Sequence, residues 1–181
     1  MAVHDRIRLM TGLTRRGPPG PRPFSANVHA ARETTVKKGD LAPDFTAVDQ
    51  TGATVQLSYV LADGPVVLFF YPKAFTPGCT KESCHFRDLA VEFAELGAQR
   101  VGISADDTSI QAKFDAVYEL DIPLLSDPDR EIARRYGVKR PGILLNKRQT
   151  FVIGTNQRIV AVIGSEFNMD MHADAALAAL R

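Results

Sequence analysis

The pattern of apolar and polar positions predicts a mixed α/β fold that begins near Val36. The stretch PVVLFFYP (65–72) is a continuous apolar run rich in Val and Phe, which is typical of a strand covered on both faces. After it, apolar residues at 86, 89, 90, 93 and 96 follow helical spacing, and Gly97 is well placed to end that helix. The run is therefore expected to be an interior strand that leads into a helix.

The rest of this region continues to alternate between strand and helix patterns. Two short strands are predicted in DFTAVDQTGATVQL (44–57) around a turn at 50–52. The later segments are, in order, a strand in 100–106, a helix in 109–120, a strand in 122–127, a short helix in 129–138, a hairpin in 150–164 and a helix in 171–181. This order predicts a central mixed β-sheet flanked by helices, formed by one domain over 36–181.

Residues 1–35 have a different texture. They contain four prolines between Pro18 and Pro23 and no sustained helical or alternating apolar pattern. We interpret them as a flexible, disordered extension. Two other interpretations stay open: an Arg-rich, acid-poor transit peptide, and a start of translation near Val36.

Composition and charge narrow the function classes. The chain of 181 residues is 45% apolar, which is ordinary for a globular domain. Residues 1–35 hold six arginines against Asp5 and Glu33, which leaves 16 basic and 19 acidic residues in the remainder. This slight acidic excess argues against a basic surface for binding nucleic acid, and no apolar run has the length of a membrane span. Two cysteines without a preceding apolar signal segment favour a reducing, cytoplasmic setting, where nearby thiols are typically catalytic or metal-binding.

The first cysteine lies in a context that favours reactivity. Thr76 and Pro77 form a good helix start, with a hydroxyl at the N-cap and proline at the first helical position. Cys79 then falls in the first turn, where free amide N–H groups and the helix dipole stabilise a thiolate, the form that attacks. The position also follows a buried strand, where open α/β sheets place reactive crevices, and Gly78 keeps the approach free of bulk.

The second cysteine, Cys84, is five residues further along the same predicted helix. In an intact helix this spacing separates the two Cα atoms by about 8–9 Å, which exceeds the limit of roughly 7 Å for a disulfide. A bond between the two sulfurs would therefore require the first turns to unwind. Such a step would suit oxidation of Cys79 to a sulfenic acid followed by attack of Cys84, although Cys84 alone fits a small core residue equally well.

At this point the sequence resembles a known family. PKAFTPGCT (72–80) fits the peroxiredoxin pattern P-x-x-x-T-x-x-C, and TPGCTKESCHFRD (76–88) is similar to the signature of the bacterioferritin comigratory protein, or peroxiredoxin Q, branch. The resemblance covers about 36–181 and includes RRYGV (134–138) and RQTFVI (148–153). It implies a thioredoxin-like fold that needs no metal, haem or other cofactor.

The resemblance also implies roles for individual residues. Cys79 would be the peroxidatic cysteine and Cys84 the resolving one, joined in an intramolecular disulfide during the cycle. Thr76 would hydrogen-bond thiolate and peroxide, Pro72 would shield the sulfur, and Arg148 would stabilise the developing charge. The implied function is antioxidant reduction of hydrogen peroxide and organic hydroperoxides, with recycling by thioredoxin or a glutaredoxin-like reductant. Relatives of this branch are often monomeric, so we expect a monomer or a weak homodimer.

Several features remain outside this interpretation. Gly154 stands where relatives commonly have Asp, and the stretch before Arg148, KRPGILLNK (139–147), is apolar and interrupted by Gly and Pro. Glu82 and Arg87 are expected to be solvated or locally paired rather than catalytic.

Two alternatives use the same thiols. The first is a thioredoxin-like metal-binding or redox-sensing module, with His85 and His172 as further ligands, although the cysteine spacing is not C-x-x-C. The second is a one-cysteine peroxidase in which Cys84 has no role.

Overall fold

The structure, a computed structural model, describes residues 35–181. The extension predicted over 1–35 therefore lies, except for Thr35, outside the described residues. Within them, seven strands form one mixed sheet in the order β2-β1-β5-β4-β3-β6-β7. The strands are β1 (Thr46–Val48), β2 (Thr54–Gln56), β3 (Val66–Phe70), β4 (Gln99–Ser104), β5 (Leu124–Ser126), β6 (Gln149–Ile153) and β7 (Ile159–Gly164). Strands β3, β4 and β5 are parallel, and the other pairings are antiparallel.

Helices cover both faces of this sheet, as the alternating pattern predicts. They are α1 (Leu57–Val60), α2 (Pro77–Asp88), α3 (Ala90–Glu95), α4 (Thr108–Tyr118), α5 (Glu131–Arg135) and α6 (Asp170–Leu180). No helix in the described part of the chain has the length and apolar character that a membrane crossing needs. The predicted thioredoxin-like arrangement, a mixed sheet between helices, is confirmed.

Strand β3 separates the two hydrophobic cores. Its five residues are fully buried, and because side chains alternate along a strand, they serve both faces. Val66, Leu68 and Phe70 pack in a core with residues of α1 and α5, whereas Val67 and Phe69 pack with residues of α2, α3, α4 and α6. The apolar run in the sequence is thus an interior strand, and its far end lies directly before the loop to α2.

The helical pattern over 86–96 belongs to two helices and not to one. Leu89 separates α2 from α3 with φ −93° and ψ 22°. The Arg100 guanidinium donates to the Phe86 carbonyl at 2.7 Å, and that carbonyl is the acceptor which a continuous helix would offer to Ala90. Gly97 has φ +64° and ends α3, as its position in the sequence suggested.

Candidate active site

The loop from β3 to α2 is held in place by the neighbouring strand. The Ala74 N–H donates to the Asp106 carboxylate at 2.8 Å, and Ser104, at the end of β4, donates to the same oxygen at 2.8 Å. Phe75 has φ +62°, a left-handed conformation that is uncommon for a residue other than glycine, and its ring packs edge-on against Phe114 of α4. These contacts fix the loop that contains two of the predicted site residues, Pro72 and Thr76.

Thr76 takes the predicted N-cap position of α2, but its side chain does not cap the helix. The hydroxyl donates instead to the Lys73 carbonyl at 2.9 Å, three residues back in the loop. The Thr76 carbonyl accepts the first helical bond, from the Thr80 N–H. The expected capping bond was therefore wrong, because the tight loop offers its own acceptor to the hydroxyl. Pro72, half-buried, follows Tyr71 at the beginning of this loop.

Cys79 lies in the first turn of α2 with its side chain fully buried. Arg148 lies directly before β6, and its guanidinium donates through Nη2 to Cys79 Sγ at 3.3 Å. Strand pairing explains this contact between residues 69 positions apart, because β6 is antiparallel to β3 and Gln149 lies opposite Phe70. The register brings Arg148 to the end of β3, next to the loop that leads into α2.

Gly78 makes room for this arrangement. A Cβ atom at this position would lie 3.2 Å from Arg148 Nη2 and 3.4 Å from Met169 Sδ. The absence of a side chain thus lets the guanidinium lie against the first turn of α2.

The structure contradicts the prediction that Glu82 is solvated or locally paired. It is fully buried one turn after Cys79, and its Oε2 accepts from Arg148 Nη1 in an ion pair. Burial raises the pKa of Glu82 to about 8, against the opposing effect of Arg148. The pKa of Arg148 rises even though burial opposes its charge, because Glu82 and Cys79 favour the charged form. Arg148 thus stays positive, and Glu82 is the member of the pair that titrates.

The i, i+3 spacing between Cys79 and Glu82 was the available signal in the sequence, since it places both side chains on one helix face. Arg87, the other residue set aside, is paired locally with Asp88, as expected.

His172 closes the same cluster from α6 and is fully buried. Its Nε2 lies 2.9 Å from the Ser165 carbonyl, and its Nδ1 lies 2.9 Å from Thr150 Oγ1 and 3.6 Å from Glu82 Oε1. Burial lowers the pKa of His172, which favours the neutral ring. His85 lies apart from it and pairs with Asp174 at the surface. The two histidines of the metal hypothesis thus have different partners, His85 at the surface and His172 in the buried cluster.

Cys84 is half-buried within the uninterrupted helix α2, and both cysteines are free thiols. The prediction that both thiols lie in one helix when they are reduced is therefore confirmed. Among the described residues, no cluster of three or more His, Cys, Asp or Glu has the geometry to hold a metal ion.

Known proteins with related sequences and structures point to one family. The sequence model of the AhpC/TSA family matches residues 38–162. Peroxiredoxin Rv1608c of Mycobacterium tuberculosis is 59% identical over 150 residues, which are 81% of this chain and 97% of that protein. A chloroplastic peroxiredoxin Q of Gentiana triflora is 39% identical over 162 residues, 88% of this chain and 72% of that protein.

A solved structure agrees with these sequence matches. The bacterioferritin comigratory protein of Xanthomonas campestris, described for its alkyl peroxide reduction activity, has a TM-score of 0.72 and 30% identity to this chain. The match covers 81% of this chain and 97% of that structure. Taken with the paired Cys79 and Arg148, these findings show that the chain belongs to the AhpC/TSA family, as a thiol peroxidase of the peroxiredoxin Q branch.

Proposed function

We propose that Cys79 is the peroxidatic nucleophile of this peroxiredoxin and that Arg148 is its principal electrostatic partner. The observation that carries this assignment is the 3.3 Å contact between Arg148 Nη2 and the Cys79 sulfur, in the first turn of a helix. A guanidinium and the free N–H groups of the turn both stabilise a thiolate. The low polarity of the buried site makes this stabilisation larger than it would be in water.

The first step is attack of the Cys79 thiolate on one oxygen of the peroxide. The S–O bond forms as the O–O bond breaks, and the leaving oxygen takes up a proton to give water or an alcohol. Cys79 becomes a sulfenic acid. Arg148, positioned before the reaction, stabilises the charge that builds on the leaving oxygen. We assign to Thr76 a hydrogen bond to the peroxide and to Pro72 the shielding of the sulfur, both from their places in the loop before α2.

The second step is attack of Cys84 on the sulfenic sulfur. The S–S bond forms, the S–O bond breaks and water leaves. Because both cysteines lie within one helix, the first turns of α2 must unwind for the sulfurs to meet. A dithiol reductant of the thioredoxin type, or a glutaredoxin-like one, then restores both thiols.

We extend the proposal to substrates, assembly and location. The Xanthomonas relative is described as reducing alkyl peroxides, and four exposed apolar side chains occupy the two loops next to the Arg148 backbone: Ile143, Leu144, Leu145 and Phe167. These support organic hydroperoxides as substrates beside hydrogen peroxide. We also propose a monomer or weak homodimer that works in the cytoplasm, where dithiol reductants are available.

The test is the intact mass of the reduced protein after one equivalent of hydrogen peroxide. The parent protein should lose about two mass units as the Cys79–Cys84 bond forms, and the Cys84→Ser variant should instead gain about 16 as its sulfenic acid accumulates. The Cys79→Ser variant should not react. Equal reaction in the Cys79→Ser variant, or a parent that carries stoichiometric metal and leaves peroxide intact, would reject the proposal.

A further inference from the structure

Two neighbouring surface loops expose large apolar side chains to solvent. The first loop, residues 139–147, lies between α5 and β6, and its consecutive residues Ile143, Leu144 and Leu145 are 100%, 57% and 48% exposed. The second loop, residues 165–169, lies between β7 and α6 and contains Phe167, which is 95% exposed. We call these four side chains the apolar tip. A contiguous exposed apolar patch of this kind commonly marks an interaction site.

Glu166 joins the two loops to each other and to the active site. Its Oε1 accepts from Arg140 Nη2 at 2.5 Å and from the Arg148 backbone N–H at 3.3 Å. Met169 of the second loop packs against the beginning of α2, because a Cβ atom on Gly78 would lie 3.4 Å from its Sδ. The loops that carry the apolar tip therefore contact the residues around Cys79.

Arg130 holds the first loop in a defined shape. Its guanidinium donates to the Asn146 side chain at 2.9 Å and to two carbonyls of the loop at 2.9 and 3.1 Å. The Lys147 N–H donates to the Val138 carbonyl at 2.8 Å and closes the base of the loop. Polar groups of the loop are thus bound internally, while its apolar side chains point outward. A tip that is already ordered loses little conformational entropy when it is buried.

Positive charge is concentrated around the same loop. Residues 130–148 contain seven basic residues and one acidic residue, whereas the rest of 36–181 contains nine basic and 18 acidic residues. The acidic excess of the folded domain therefore conceals a segment with a net charge of +6. Lys139 and Lys147 stand at the two ends of the loop, and Lys147 is exposed.

We propose that the apolar tip inserts into the surface of an anionic lipid bilayer and that Lys139 and Lys147 bind the phosphate headgroups beside it. Apolar side chains gain free energy at the boundary between headgroups and acyl chains, and lysines extend their ammonium groups to the headgroup layer. This inference goes beyond the proposed function and does not depend on it. A protein docked in this way would hold the beginning of α2 next to the lipid surface.

Shape and charge favour a bilayer over other occupants. Three consecutive exposed side chains point in different directions, so fluid acyl chains can surround all of them, whereas one rigid protein face cannot. A second copy of this chain would present the same positive charge, and residues 1–35, with six arginines against two acidic residues, are also positive. Nucleic acid would match the charge but would leave the apolar tip without a partner.

Insertion can be observed through a single fluorescent residue, because the chain contains no tryptophan. Phe167→Trp should show a blue-shifted emission with vesicles of phosphatidylcholine and phosphatidylglycerol in equal parts, and brominated acyl chains should quench it. Vesicles of phosphatidylcholine alone should have little effect. Tyr59→Trp, at a position in α1 that is 75% exposed, is the matched control and should show neither change. The arginines of residues 1–35 are common to both proteins and cannot produce the difference.

Sedimentation with the mixed vesicles measures how much each group contributes. Ile143→Ser should lower the partition coefficient at least about tenfold, because a large apolar side chain is lost from the lipid. Lys147→Gln should lower it about fivefold, and added salt should weaken binding of the parent protein. Val91→Ser and Lys113→Gln change exposed residues of α3 and α4 and should keep the parent value.

The outcomes separate a bilayer from other partners and from the proposed function. An unchanged Phe167→Trp spectrum on the mixed vesicles, or equal losses of binding in the loop variants and their controls, would overturn the inference. A blue shift that grows with protein concentration in the absence of vesicles would overturn it in favour of a second copy. The Cys79→Ser variant should bind the vesicles as the parent does. If that variant still consumed peroxide, the proposed function alone would fail.

Discussion

Arg148 connects the two other buried polar groups of the site, Glu82 and Cys79, through its guanidinium. Its Nη1 binds Glu82 and its Nη2 binds Cys79, so one planar guanidinium fixes both side chains at once. A lysine has a single ammonium group and cannot make both contacts in this geometry. The Arg148→Lys variant should therefore react with peroxide about 10² to 10³ times more slowly, the usual cost of losing a prepositioned donor. The measurement is the rate of sulfenic acid formation by quenched mass analysis.

Arg158→Lys is the matched control for this variant. Arg158 lies directly before β7, donates to the Gly39 carbonyl and does not contact the site. The Arg158→Lys variant should keep the parent rate of sulfenic acid formation, and an equal loss of rate in both variants would show that Arg148 acts through general stability.

Gly78 allows stability and catalysis to be separated. Alanine stabilises an exposed helix position by about 1 kcal/mol relative to glycine, but here the new Cβ would lie 3.2 Å from Arg148 Nη2. The Gly78→Ala variant should therefore unfold no more easily than the parent, while its reaction with peroxide is slower because the guanidinium is displaced. Thermal unfolding and single-turnover kinetics measure the two effects. An unchanged rate would mean that Arg148 has room to adjust.

Glu82 should also make stability depend on pH. Its folded pKa, about 8, is above the ordinary value of 4.5, so the folded state binds this proton more tightly than the unfolded state. That contribution is complete below pH 4.5 and is lost as pH rises through 8. The free energy of unfolding of the parent, relative to Glu82→Gln, should therefore decrease over this window in urea titrations.

Glu131 provides a comparison of opposite sign. Its pKa is lowered, chiefly by its hydrogen bond with Arg134, so its smaller contribution is present above the ordinary pKa and lost toward acid. The same slope in Glu82→Gln and Glu131→Gln would contradict this account of Glu82.

At the scale of elements, the sequence predicts where helix α2 begins, but not where it ends or which of its side chains are buried. The Thr76-Pro77 start, the buried strand before it and Gly97 after α3 all follow from local residue preferences. The end of α2 at Asp88 could not be predicted from local preferences, because it depends on the hydrogen bond from Arg100, in strand β4, to the Phe86 carbonyl. The burial of Glu82 was missed for the same reason: a charged side chain is expected in solvent until a distant partner is known.

One ion pair and one hydrogen bond join α2 to α6 at the surface and should slow the unwinding of α2. Lys81 forms the ion pair with Asp170, and His85 Nε2 forms the hydrogen bond with Asp174 Oδ1, each at 2.8 Å. Exposed pairs contribute at most about 1 kcal/mol, so Asp170→Asn or Asp174→Asn should speed formation of the Cys79–Cys84 disulfide by up to about fivefold. The measurement follows the decay of sulfenic acid after a peroxide pulse. Asp129→Asn, an exposed change outside this contact, should have no effect, and a slower disulfide step in the α6 variants would contradict the expectation.

At the scale of the whole molecule, the sheet makes a site from residues that are remote in sequence. The mixed sheet and its helices were predictable because apolar runs and helical spacing are local signals. The meeting of Cys79 and Arg148 could be expected only from the family resemblance, since it depends on the register between β3 and β6. His172 was considered only as a metal ligand, because nothing local in its alanine-rich helix indicates that it packs against Glu82.

In the proposed cycle, the location of both thiols within α2 also has a consequence for the energetics of recycling. The intact helix stabilises the dithiol state and is incompatible with the disulfide state, so the free energy of forming the helix opposes oxidation and favours reduction. Each 1.4 kcal/mol of that difference raises the reduction potential by about 30 mV. A more stable helix therefore makes the disulfide a stronger oxidant, and refolding of α2 helps to drive electron transfer from the reductant.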